Sequence, residues 1–132
     1  MDDEKEINEI FRFRKFPVYH DAREFRKNLK KYTQEHFPQD ERYCLRAQLW
    51  RALDSIVLNI AEGSDRYTGK SNSHFLNIAV GSLDEVVAGI DAACDDGYMD
   101  REKQLIFLGA AVLIMKQLKA LSSTIRRNSR SN

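Results

Sequence analysis

The sequence contains few of the residues that interrupt helices or form covalent and metal cross-links. Its 132 residues include two prolines, six glycines and two cysteines. Scarce proline and glycine favour long helices over many short strands. Cys44 and Cys94 stand far apart, without a Cys-x-x-Cys pair and without histidine at metal-ligand spacing. We therefore expect two buried thiols in a cytoplasmic protein rather than a disulfide framework.

Long apolar runs and a signal-like N-terminus are also missing. No uninterrupted apolar run approaches the ~18 residues of a transmembrane helix, so we expect no membrane partner. The first ten residues, MDDEKEINEI, are acidic and polar, unlike a secretory signal. Contents of 42% hydrophobic and 31% charged residues are typical of a soluble globular domain, and the length suits one core.

Charge is segregated along the chain, although the net charge is only +1. Residues 1–9 hold five acids and one lysine, whereas residues 10–31 hold eight bases and two acids. Residues 81–102 hold seven acids and one arginine, and residues 103–132 hold six bases and no acid. Blocks of opposite charge can bind a polyanion or can join subunits head to tail.

Apolar residues at helical spacing predict four helices of roughly 20–28 residues. The first helix begins at Pro17 and ends before Pro38. The second follows an N-cap at Asp40 and ends at Gly69, which we favour over Gly63. The predicted inner seam of the first helix comprises Val18, Ala22, Phe25, Leu29, Tyr32 and His36.

The third helix begins after Ser71 or Ser73, and Gly97 closes it in a left-handed conformation. Asp100 is the expected N-cap of the fourth helix. The predicted inner seam of the third helix comprises Phe75, Ala79, Ser82, Val86, Ile90 and Ala93. The predicted inner residues of the fourth are Leu105, Leu108, Val112, Met115 and Leu118.

Four long helices joined by short links predict an all-α fold, an antiparallel up-down-up-down four-helix bundle, over residues 15–125. Residues 1–14 form an acidic and basic N-terminal arm, in which the acidic residues 1–9 are either disordered or shield a basic surface. Residues 126–132 form a frayed basic tail.

Motifs for catalysis and for metal binding are missing. His20, His36 and His74 fit no metal-ligand pattern, and no Glu-x-x-His is present. The segment GKS at 69–71 resembles the end of a phosphate-binding loop, but the earlier glycine and the preceding strand are absent. We expect no enzymatic activity, cofactor or metal. A small-molecule or metal site in the bundle core around Glu62 and Glu85 is the weakest alternative.

A seam of polar residues runs through the largely apolar second helix. At about 100° per residue its five members fall within roughly 80° of arc, so they share one face. Because buried polar groups need partners, we expect an interhelical hydrogen-bond network with the third helix; the alternative is contact with a ligand or another subunit. The seam comprises Arg51, Ser55, Asn59, Glu62 and Arg66, with Ser82, Glu85 and Asn77 as candidate partners.

Basic residues on the first helix and near the C-terminus are candidates for phosphate contacts with RNA or DNA. Such contacts give affinity with little sequence reading, because no base-reading module is present. The alternative is a module that binds only protein, in which opposite charge blocks join subunits or a partner. The candidates are Arg23, Arg26, Lys27, Lys30, Lys31, Arg126, Arg127 and Arg130.

Several segments are similar to one known family. The most specific pair is NIAEG at residues 59–63 and GSLDE at residues 81–85. Further matching segments are Phe37-Pro38, Glu41 to Tyr43, Gln48 to Ala52, Ser55-Ile56, Phe75-Leu76 and Ile78-Ala79. On these residues the chain resembles the four-helix-bundle proteins encoded in intervening sequences of bacterial 23S ribosomal RNA genes, often labelled S23 ribosomal protein.

The resemblance implies a left-handed four-helix bundle that assembles into a ring, with a pentamer as the expected size. It also implies kinship with the accessory variability proteins of diversity-generating retroelements, which are basic rings that bind nucleic acid and a reverse transcriptase. The sequence departs from the family pattern at Cys44, where glycine is usual, and at Val57, where proline is usual. Without that proline we expect a straighter second helix.

Overall fold

The computed structural model describes residues 2–40, 44–64 and 69–131, and the side chains of all of these except 2, 69, 126 and 128–131. Within that part of the chain every regular element is helical and no strand occurs. The all-α prediction is therefore confirmed. The elements are α1 (Asp2–Ile10), a 3-10 turn (Arg12–Lys15), α2 (Pro17–His36), α3 (Leu45–Ser64), α4 (Gly69–Asp95) and α5 (Arg101–Ser131).

Helices α2 to α5 enclose one apolar core. Each packs on two others: α3 lies against α2 and α4, and α5 lies against α4 and α2. The 3-10 turn contacts α1, α2 and α3. The core forms because apolar residues recur every three or four positions on one side of each helix. Its most buried large side chains are Leu29, Leu49, Leu53, Ile56, Ile60, Leu76, Leu83, Val86, Ile90, Ile114 and Leu118.

The sequence located several helix ends correctly. Pro17 occupies the first turn of α2. Gly97 adopts φ +82° after α4, a conformation that a side chain would strain. The Asp100 Oδ1 atom accepts a hydrogen bond of 2.8 Å from the backbone N–H of Lys103, so Asp100 caps α5 as predicted.

The boundary between α3 and α4 differs from the prediction. Asp40 is not the cap of α3, because it lies in a short 3-10 turn and α3 begins at Leu45. Gly69 does not end α3, which stops at Ser64; Gly69 is instead the first residue of α4. The serines predicted as caps consequently lie inside α4. Packing of the first turns of α4 against α3 outweighs the local preference of serine for a cap.

The inner face of α5 also differs from the prediction. Phe107, Ala111 and Ile114 are buried there, whereas Leu105 and Val112, predicted to point inward, are about half exposed. Leu118 is buried as predicted. The helix is apolar on two sides, so spacing alone could not select the side that faces the core.

Helices occupy both ends of the described chain. Residues 2–10 form α1. The Arg14 guanidinium lies 3.4 Å from a Glu4 carboxylate oxygen and donates a 2.9 Å hydrogen bond to Asn8. The acidic α1 thus covers one base of the following segment. At the other end, α5 continues to Ser131 and includes residues 126–131 of the predicted basic tail.

Candidate interaction surfaces

The polar seam is real where α3 meets α4. The hydroxyls of Ser55 and Ser82 are 2.7 Å apart and share a hydrogen bond between the two helices. The Asn59 amide donates to the backbone carbonyl of Ser55 at 2.8 Å and to its hydroxyl at 3.1 Å. These three residues form a small hydrogen-bond network at the edge of the core, and this network joins α3 to α4.

The other seam residues lie elsewhere. Arg51, Glu62, Glu85 and Asn77 are exposed rather than buried in the interface. Arg66 lies outside the described residues. No group of three metal-ligating side chains occurs in the part of the chain that the structure describes. The seam is therefore a local bridge between Ser55 and Ser82, with charged residues on solvent-facing sides of the same helices.

Close backbone packing between α3 and α4 was not predicted. A Cβ atom added at Gly89 would lie 2.5 Å from Cδ2 of Leu49, and one at Gly63 would lie 3.1 Å from Cγ of Leu76. Both glycines therefore stand where the two helices approach each other closely. The available signal was a glycine inside a helical pattern, which costs helix stability unless packing requires it.

The basic face of α2 is partly neutralised by α3. One Asp54 carboxylate oxygen lies 2.7 Å from Nε of Arg26 and 2.6 Å from Nζ of Lys30. Burial alone would raise the pKa of Asp54, but the two hydrogen bonds and positive charges outweigh it and hold the pKa below its usual value. The Lys30 ammonium also lies 4.8 Å from the centre of the Trp50 ring. Arg26 and Lys30 consequently join α2 to α3.

The remaining basic candidates differ in their surroundings. The Arg23 guanidinium lies 5.5 Å from the centre of the Tyr19 ring, and Lys27 and Lys31 are exposed. No ion pair holds Lys27 or Lys31 within the described residues. Arg127 donates a 3.5 Å hydrogen bond to Thr124. The side chains of Arg126 and Arg130 lie outside the described set.

An apolar surface covers the side of α5 that points away from the core. It consists of Leu105, Ile106, Gly109, Val112 and Leu113, which we call the outer face of α5. Its four large side chains are between 50% and 61% exposed. A groove of about 270 Å³ between α2 and α5 runs along one edge of this face. Isolated exposed apolar residues are common, but a contiguous set marks an interaction surface.

The two-sided apolar character of α5 has a further consequence. By length and composition, Arg101–Ile125 is apolar enough to cross a membrane, with a mean hydropathy of 1.7 over 18 residues and 28% of that window buried. Lys116 and Lys119 interrupt this segment, so it contains no uninterrupted apolar run of that length. A core helix passes the same test, and the inner side of α5 is packed in the core.

A second exposed apolar surface comprises Phe11, which follows α1, and Leu58 of α3. Leu58 is the most exposed large apolar residue in the described chain, at 64%, and Ile7 and Ile10 are exposed on α1. Phe11 and Leu58 also border a cavity of about 410 Å³ beside Glu62. Within the described residues α3 and α5 do not pack on each other, so this surface is separate from the outer face of α5.

A protein-family model matches residues 14–120, which is most of the chain. That family is described as the 23S rRNA-intervening sequence protein. The chain belongs to this family. The match includes α2, α3, α4 and most of α5, and it confirms the resemblance found on the NIAEG and GSLDE segments. It leaves α1 and the last turns of α5 outside the shared region.

A solved structure from the S23 ribosomal protein family has the same fold. That crystal structure, of a protein with unknown function from Bacteroides thetaiotaomicron, aligns with a TM-score of 0.70 and 22% sequence identity. The alignment covers 80% of this chain and 95% of that one. No curated protein matches the chain significantly. At this identity the neighbour supports the fold and does not transfer an activity.

Proposed function

We propose that the protein is a non-enzymatic, self-assembling scaffold built on an antiparallel, left-handed four-helix bundle. The observation that supports this function is the outer face of α5, a contiguous apolar surface exposed on a chain with 31% charged residues. Exposing such a surface to water is unfavourable, so it is retained where a partner covers it. The partner that is always present is a second copy of the chain.

The up-down-up-down topology is supported by contacts between neighbouring helices. Along α3 and α4, residue numbers run in opposite directions: Ser55 meets Ser82, while Gly89 lies near Leu49. The Gln117 amide donates a 2.9 Å hydrogen bond to Asp21, while the rings of Phe107 and Tyr32 lie 5.6 Å apart, so α5 and α2 also run in opposite directions. The left-handed supercoil, which the family resemblance implies, is supported by the heptad spacing of the buried residues of α4.

A ring is the assembly that the family resemblance implies, with five subunits as the expected number. Rings form through a heterologous contact, in which two different surfaces of the same chain meet. The surface formed by Phe11 and Leu58 offers one apolar side for such a contact. Its separation from the outer face of α5 allows one molecule to contact more than one neighbour.

Light scattering coupled to size exclusion tests self-assembly directly. We expect a mass that is a multiple of 15.3 kDa and that falls on dilution below the dissociation constant. Replacing Leu58 with Lys should lower the mass if its patch forms the ring contact. Replacing the exposed Asn77 of α4 with Lys, which adds the same charge on a different helix, is the control. A wild-type mass of one chain at all concentrations would contradict the proposal.

Nucleic-acid binding is the second candidate function. It is favoured by Arg23, Lys27 and Lys31, which lie on one side of α2 and are not paired with Asp54. Three basic side chains can position a nucleic-acid backbone through its phosphates but cannot distinguish one nucleotide base from another. We expect weak binding of structured RNA or duplex DNA that decreases steeply with salt.

Fluorescence anisotropy across a salt series tests this candidate. Changing Lys27 and Lys31 to Glu should abolish binding or reduce the salt slope on duplex DNA by about two, because each phosphate contact contributes about 0.9. Lys70→Glu with Lys103→Glu gives the same charge change elsewhere and should retain binding. Equal affinity in both double variants would assign any binding to a different surface. No binding of the wild type at low salt would leave the scaffold function alone.

A further inference from the structure

The outer face of α5 has an internal symmetry that suggests its partner. Gly109 lies at the centre of the face, with Leu105 and Ile106 one turn before it and Val112 and Leu113 one turn after it. Reversing the direction of the helix therefore exchanges one apolar pair for the other. A surface that is the same in both directions can pack on a copy of itself through a two-fold axis.

The charges that flank the face obey the same symmetry. Glu102 lies seven residues before Gly109 and Lys116 lies seven residues after it, each about 10 Å away along the helix. Both are exposed, and neither is in an ion pair within the described part of the chain. At 3.6 residues per turn both fall within about 20° of the direction of Gly109. In an antiparallel pair, Glu102 of each copy therefore meets Lys116 of the other.

Gly109 has no packing role inside the single chain. A Cβ atom added at this position would meet nothing within 4 Å. Glycine weakens a helix interior relative to alanine, so the fold alone does not favour it here. At the centre of a helix–helix contact, by contrast, a missing side chain lets two backbones approach closely and lets the flanking apolar residues interdigitate.

We propose that α5 pairs with α5 of a second copy, antiparallel, about a two-fold axis at Gly109. Leu105 and Ile106 of each copy pack on Val112 and Leu113 of the other, between two Glu102–Lys116 ion pairs. This inference rests on the proposed self-assembly and adds its symmetry. A two-fold contact closes at two copies and cannot build a ring by itself. It therefore gives either a dimer or two rings joined face to face, and its loss halves the mass in both cases.

A substitution at Gly109 tests the point where the two helices cross without destabilising the single chain. Gly109→Gln places a helix-forming side chain in space that is open in the single chain, so stability should be kept or increased. At the two-fold axis the same side chain blocks the close approach, and we expect at least about tenfold weaker pairing and half the wild-type mass at micromolar concentration. Gly81→Gln is the matched control, because Gly81 is equally open but its neighbours Asp84 and Glu85 are charged.

A charge-reversal mixture tests the two-fold geometry itself. Glu102→Lys alone places lysine against Lys116 twice, and Lys116→Glu alone places glutamate against Glu102 twice, so each variant should self-associate about tenfold more weakly. In a one-to-one mixture, both contacts between the two variants join opposite charges. The mixture should therefore recover the wild-type mass and pairing constant.

The outcomes separate this inference from the proposed function. If the wild type is an oligomer and Gly109→Gln keeps its mass, self-assembly stands and the two-fold contact is wrong. Failure of the mixture to recover also overturns the two-fold contact. A wild-type protein that stays monomeric overturns both proposals. If the protein is a monomer that sediments with lipid vesicles, and replacing Leu113 abolishes this sedimentation, the outer face of α5 binds a membrane surface instead.

Discussion

The close contact between α3 and α4 predicts opposite effects for the same substitution at two positions in one helix. Gly89 and Gly81 both lie inside α4. A Cβ at Gly89 would lie 2.5 Å from Cδ2 and 3.1 Å from Cγ of Leu49, which is 2% exposed, whereas a Cβ at Gly81 would meet nothing within 4 Å. Gly89→Ala should therefore destabilise the protein, and Gly81→Ala should stabilise it.

The magnitudes follow from two opposing contributions. Replacing glycine by alanine in a helix interior adds roughly 0.5–1 kcal/mol of stability at either position. At Gly89 the new methyl group must also displace a buried leucine, and overpacking of this kind costs about 1–3 kcal/mol. We expect a net loss of about 1 kcal/mol for Gly89→Ala. The difference between the two variants should be about 2 kcal/mol.

Urea denaturation followed by far-ultraviolet circular dichroism gives the required free energies, with the protein concentration held constant because assembly affects stability. Leu49→Ala removes the group that clashes, at its own cost of about 2–5 kcal/mol. In Gly89→Ala with Leu49→Ala, the total loss should be smaller than the sum of the two single losses by about 1–3 kcal/mol. Equal stabilisation by Gly89→Ala and Gly81→Ala would refute the close packing of these helices.

Two further predictions concern polar contacts between helices. Asp54→Asn should lower stability by about 1 kcal/mol at neutral pH through loss of its bonds to Arg26 and Lys30. Because folding lowers the pKa of Asp54, its ion pairs stabilise the fold above the unfolded pKa of about 3.9, and this stabilisation is lost as the pH falls through the folded pKa. The stability of the Asp54→Asn variant should therefore change less with pH below about pH 4 than the stability of the wild type. An unchanged acid profile would contradict the pairing. Ser55→Ala should lower the free energy of unfolding by about 1–2 kcal/mol because Ser82 loses its hydrogen-bond partner. Changing both serines to alanine should lower it by less, as measured by urea denaturation. An equal or greater loss in the double variant would show that the serine bridge does not cause the loss in Ser55→Ala.

The sequence predicted the helices with one apolar side better than the helix with two. In α2 and α4 the heptad positions are buried, apart from half-buried Tyr32 and Phe75 and exposed His36. Thr33 occupies the core in place of His36 and accepts a hydrogen bond from Trp50. In α5 both sides are apolar, so periodicity gave the helix but could not decide which side faces the core. That choice depends on the neighbouring helices, which spacing within one segment does not contain.

The candidate surfaces were only partly accessible to sequence reasoning. The polar spacing on α3 did indicate Ser55 and Asn59, because hydrogen-bonding groups beside a core need partners. Counting charges along the chain overstated the free positive charge of α2, because Asp54 comes from another helix and pairs with two of its bases. The symmetry of the outer face of α5 is visible in the sequence. Its exposure depends on the packing of the opposite side of α5 into the core, which the spacing within α5 does not determine.

The measurement that tests the central claim most directly is the solution mass of the wild-type protein beside Gly109→Gln and Gly81→Gln across a concentration series. The account predicts an assembly with an even number of 15.3 kDa chains for the wild type and Gly81→Gln, and half that mass for Gly109→Gln. A single-chain mass for all three proteins, or the same assembly for all three, would contradict it.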